Sequence, residues 1–98
     1  MPPDPSHDSY AILAVDDSSD NLFLIESILD DPEYQITCVE SGQAALEVVA
    51  QTPPDVILLD VMMPGLDGYA VTQRIRDNPN LPYIPILLIT AHDQSSLV

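Results

Sequence analysis

Residues 55–68 read DVILLDVMMPGLDG, and their reading decides the fold. Residues 55–60 are an apolar run with an acid at each end. A run that is apolar without alternation suits a parallel strand buried on both faces. Pro64-Gly65 then signals a turn. Asp67-Gly68 is placed to cap a helix over residues 69–77, where Val71 and Ile75 stand one turn apart.

Outward from this unit the same alternation continues. Residues 10–15 are a short apolar strand. Residues 20–31 predict a helix with Leu22, Ile25, Ile28 and Leu29 on one face, Ser18 or Ser19 as its N-cap and Pro32 as its stop. Residues 34–39 set Tyr34, Ile36 and Cys38 against Gln35 and Thr37, the alternation of a second strand. Ser41 caps a second helix running to about Gln51, with Ala45, Val48 and Val49 inward, and Pro53-Pro54 ends it. Residues 84–89 predict a fourth strand, and residues 94–98 the opening of a fourth helix. The order βαβαβαβ, with connections too long for hairpins, predicts an α/β fold: a doubly wound parallel sheet with right-handed crossovers and helices on both faces. Residues 1–9, which include Pro2, Pro3 and Pro5, are expected to be a disordered leader to a domain over residues 10–98. With Met1 so near the first strand, the domain is expected to begin its protein.

Composition narrows the function. Ninety-eight residues, 46% of them hydrophobic, make one globular domain. No apolar run approaches the ~20 residues of a membrane helix, and no basic segment followed by an apolar one marks a secretory signal. Cys38 is the one cysteine, so it has no disulfide partner within the chain, and its apolar setting predicts a buried, inert thiol. A cytoplasmic location is expected. The net charge is -14, with Arg74 and Arg76 the only cationic side chains. Such a surface repels phosphate backbones and anionic lipid, and favours basic partners and divalent cations. Most of the acids serve solubility.

A few acids are placed for more than solubility. Asp16 and Asp17 follow the first strand, Asp60 closes the third and Thr90 follows the fourth. Ligands of parallel sheets bind beyond the carboxyl ends of the strands, so neighbouring strands would bring these groups into one pocket. Carboxylates so close repel one another unless a pKa rises or a cation binds. Hard oxygen ligands with room for water suit magnesium. A magnesium ion there can also hold a phosphoryl oxygen while Asp60 attacks phosphorus. Asn21 lies one turn into the first helix, near the rim, where it would shape phosphoryl access. His7 and His92 have no partner at metal-ligand spacing.

The segments AVDDSSDN (14–21), DVILLDVMMPGLDG (55–68) and ILLITA (86–91) resemble, in order and spacing, the receiver domain of bacterial two-component response regulators. The resemblance covers about residues 10–98. It implies a flavodoxin-like sheet of strand order 2-1-3-4-5. Asp60 matches the phosphoacceptor. Asp17 and Asp60 match direct magnesium ligands, and Asp16 the acid that holds metal-bound water. Met62 matches the residue whose backbone carbonyl ligates the metal. Thr90 matches the switch hydroxyl, and Pro64 and Gly65 the loop that shapes the rim. The implied phosphodonor is a phosphohistidine on a sensor histidine kinase or a phosphotransfer protein. The domain would be a switch rather than a turnover enzyme.

One feature departs from the pattern. The family carries a lysine on a fifth strand, then a fifth helix, and this sequence contains no lysine and stops at Val98. The expectation is a receiver truncated at its C-terminus. Its fourth strand would become a sheet edge, and it would need completion by a missing segment, a partner or a second copy of itself. Arg74 and Arg76, on the third helix, lie away from the pocket and do not replace the lysine. Two other functions compete. A truncated receiver could act only as a protein-interaction module, without phosphorylation. A phosphohydrolase of the haloacid dehalogenase type also uses a strand-end aspartate, but places a second acid two residues later, where this chain has Met62.

Overall fold

The structure, a computed structural model, describes residues 9–89. Its elements are β1 (Tyr10–Val15), α1 (Ser19–Ile28), β2 (Tyr34–Val39), α2 (Gly42–Gln51), β3 (Val56–Asp60), α3 (Gly68–Arg76) and β4 (Ile86–Ile89). The four strands form one parallel sheet in the order β2-β1-β3-β4, the first four positions of the flavodoxin-like arrangement. The leader expected over residues 1–9 lies, but for Ser9, outside the described residues, as does the helix expected from residue 94.

One face of the sheet carries the core. Leu13 and Val15 of β1 and Ile57 and Leu59 of β3 pack against Ala45 and Val49 of α2 and Val71 and Ile75 of α3. Met63 and Ile84 join them from the loops. Alternate residues of a strand face opposite ways, so Ile12, Ala14, Val56 and Leu58 face the other side, toward α1. That side is thinly covered. Leu22 is the buried residue of α1, Ile25 and Leu29 are half-buried, and Ile28 is 70% exposed. The helix expected over residues 20–31 is shorter than its apolar pattern, because Leu29 caps it. Ile28 stands on the flank of the stripe that Leu22, Ile25 and Leu29 make, which corrects its assignment to the inner face. Likewise β3 is fully buried on one face only: Ile57 and Leu59 are enclosed, whereas Val56 and Leu58 are half-buried.

Local chemistry fixes the ends of the elements. Ser18, Ser41 and Asp67 cap α1, α2 and α3, each accepting a backbone N–H three residues on. The fourth strand begins at Ile86 rather than at residue 84. Pro85 has no N–H for the ladder, although its carbonyl accepts the Ile57 N–H (3.0 Å). Ile84 turns into the core instead. Cys38 is half-buried rather than buried. Burial, with the charge and hydrogen bond of Glu26, raises its thiol pKa, so it stays protonated and unreactive. Among the described residues no helix is long and apolar enough to cross a membrane.

Candidate metal and phosphoacceptor site

The strand order creates the site. From β1 the chain winds outward to β2 on one side, and from β3 to β4 on the other. The crevice where the winding reverses lies beyond the carboxyl ends of β1 and β3. Asp16 and Asp17 leave β1 there, and Asp60 is the last residue of β3. The three residues each offer a carboxylate oxygen within 4.8 Å of the others. The expected convergence of Asp16, Asp17 and Asp60 is therefore present. Asp17 is exposed, Asp60 half-buried and Asp16 only 4% exposed.

Each carboxylate is differently held. Asp16 sits nearly out of water and, among the described residues, has two protein donors: the Ser18 backbone N–H on Oδ1 (2.9 Å) and the Asn21 side-chain Nδ2 on Oδ2 (3.2 Å). The backbone N–H of Met62 donates to Asp60 Oδ1 (3.1 Å), which folds the loop after β3 back over the carboxylate. Burial is the main cause that raises the Asp60 pKa; the charges of Asp16 and Asp17 and a hydrogen bond with Asp16 add to it, and the Met62 N–H opposes them. The fold thus gathers negative charge that is costly to keep unneutralised. This donor set of hard oxygens, with one exposed member, fits a magnesium ion that retains water.

The loop between β3 and α3 shapes the rim. Gly65 takes φ 74°, the left-handed value a Pro-Gly turn asks of its second central residue. Gly68 lies so close to the end of β3 that an added Cβ would stand 2.6 Å from the Asp60 carbonyl oxygen and 2.8 Å from Val61 Cα. Its N–H donates to the Val61 carbonyl (3.1 Å). The start of α3 is thereby fastened to the residue after Asp60.

Thr90 lies outside the described residues, although its chain neighbour Ile89 pairs with Asp60 in the sheet. His7 and His92 are outside them too. Arg74 and Arg76 both lie on α3. Arg76 reaches the amino end of β4: its Nη1 donates to the Ile84 carbonyl (2.8 Å), and its guanidinium stacks 4.7 Å from the Tyr83 ring centroid. The part of Ser18 and the direct bond of Asn21 to Asp16 are additions to the sequence reading. An aspartate two residues ahead of a backbone N–H is the signal of an Asx turn, and Asn21 stands on the first turn of α1.

Comparison with known proteins agrees with this geometry. The family model for the response regulator receiver domain matches residues 12–98. Response regulator PleD of Caulobacter vibrioides is 45% identical over 85 residues, which are 87% of this chain and 19% of PleD. Sensor protein GacS of Pseudomonas syringae pv. syringae is 40% identical over 84 residues, 83% of this chain and 9% of GacS. The chain thus spans a fifth or less of the length of these curated relatives. The crystal structure of the N-terminal domain of a response regulator receiver protein from Methanoculleus marisnigri superposes with a TM-score of 0.78 at 39% identity. That match covers 84% of this chain and 67% of the other. With a matching family model, the matching sheet order and acids gathered at its switch point, this chain belongs to the response regulator receiver domain family of two-component signalling.

Proposed function

We propose that this domain is a magnesium-dependent phosphoacceptor, and that Asp60 takes a phosphoryl group from a phosphohistidine of a sensor histidine kinase or phosphotransfer protein. The observation that carries the reading is the convergence of Asp16, Asp17 and Asp60 oxygens within 4.8 Å. Asp17, Asp60 and the Met62 backbone carbonyl would hold the ion directly, and Asp16 through bound water. When bound, magnesium supplies the positive charge that offsets both the carboxylates and the incoming phosphoryl oxygens. An Asp60 oxygen attacks phosphorus in line with the leaving imidazole. The new O–P bond forms as the donor's P–N bond breaks, and the imidazole nitrogen leaves with the electron pair and takes up a proton. Ser18 and Asn21 keep Asp16 oriented as an acceptor throughout. The Thr90 hydroxyl, one residue beyond the partner of Asp60 in the sheet, would donate to the transferred phosphoryl group. That one relative is itself a sensor protein supports a kinase-linked relay.

The alternative reading is a receiver that binds partners without being phosphorylated. Labelling by the small donor phosphoramidate separates the two. Magnesium-dependent label that disappears in Asp60→Asn is expected. An unlabelled, folded chain at millimolar magnesium would support the interaction module instead.

A further inference from the structure

We propose that Asn21 is a positioning residue that sets the divalent-cation affinity of the cluster by holding Asp16. This deepens the reading of the three acids as a cation site and rests on it. Asp16 is the least exposed of the three, and a carboxylate removed from water needs donors on its oxygens. It has two. The Ser18 N–H on Oδ1 belongs to the backbone and is fixed by the turn into α1. The Asn21 carboxamide on Oδ2 comes from a side chain. It acts on a carboxylate that faces two more acids, Asp17 and Asp60. Without that donor, repulsion from those neighbours is opposed at one oxygen only, and Asp16 is free to rotate out of the ligating arrangement. Partners that orient ligands in this way commonly change metal affinity by ~10–100-fold when removed.

The structure also separates this role from a role in folding. Asn21 stands in the first turn of α1, and its own backbone N–H donates to the Ser18 hydroxyl (3.3 Å). Asn21→Ala keeps that capping bond and installs a better helix former. Only the carboxamide is lost.

Mn2+ serves as the probe, with free ion counted by electron paramagnetic resonance during titration of the intact chain. Asn21→Ala should bind Mn2+ about 10-fold more weakly, Asn21→Gln should recover most of the loss, and both should keep the circular dichroism of the unaltered chain in EDTA. Equal Mn2+ affinity in Asn21→Ala and the unaltered chain would overturn the inference and leave the cation site standing. Weaker binding in an Asn21→Ala chain whose circular dichroism in EDTA departs from that of the unaltered chain would overturn it in favour of a structural role. No Mn2+ binding by the unaltered chain would overturn the cation site itself and this inference with it.

Discussion

Asp60 meets two opposed demands. A nucleophile must be ionised, yet burial and the neighbouring acids raise its pKa. The folded chain therefore holds the Asp60 proton more tightly than the unfolded chain does. Stability then falls as pH rises from the ordinary aspartate range through the raised folded value, and the loss persists above it. In EDTA at neutral pH, Asp60→Asn should melt a few degrees higher than the unaltered chain. The gain should vanish at a pH below the ordinary aspartate range, where the carboxyl is protonated in both states. Magnesium should raise the melting temperature of the unaltered chain by binding only the folded form, and do so less in Asp60→Asn. Thermal melts followed by circular dichroism check both signs. At this scale the acids are legible in the sequence, because each stands at the end of an apolar run. The grip on Asp16 is not: the one-turn spacing shows that Asn21 is near the rim, but not which oxygen its amide meets.

Among the elements, α3 and its flanking loops tie the site to the sheet. Gly68 has backbone on the side where a Cβ would project, and backbone cannot yield as a side-chain tip does. Gly68→Ala should cost ~1–3 kcal/mol, the usual range for overpacking, in urea unfolding. At the other end of α3, Arg76 donates to the carbonyl of the buried Ile84 and stacks on Tyr83. Arg76→Ala should cost ~1–2 kcal/mol in the same measurement, from the lost hydrogen bond and cation–π contact. Arg76→Lys should not restore it, because an ammonium lacks the planar fork that stacks and donates together. The caps and the bounds of β2 can be read from sequence because Ser, Asp and strict alternation act locally. The end of α1 and the start of β4 cannot, because the apolar pattern runs past the point where capping at Leu29 or the missing N–H of Pro85 ends the element.

Over the whole molecule, two surface properties pull apart. The face toward α1 leaves a groove of about 350 Å³ whose lining includes Ile12, Leu29, Val56, Leu58 and Leu87, with Leu87 58% exposed. Phe23, Leu24 and Ile28 add exposed apolar surface on α1. Patches of this kind mark contact surfaces. The net charge of -14 opposes association of like chains. Sedimentation equilibrium should therefore show association that grows with concentration and with added salt, as screening shortens the reach of the charge. Leu87→Lys should weaken it. A monodisperse monomer at every salt concentration would contradict this. Among the described residues β4 is the last strand of the sheet, and the exposure beside α1 depends on how far that helix extends, which its periodicity overstates.

The claim on which all of this turns is that Asp60 is the phosphoacceptor. Borohydride converts an aspartyl phosphate to homoserine, so the modified position can be mapped in peptides by mass spectrometry. After incubation of the intact chain with phosphoramidate and magnesium, residue 60 alone should be converted, and EDTA should prevent it. Conversion at another aspartate, or none at residue 60 in a folded chain with saturating magnesium, would contradict the assignment.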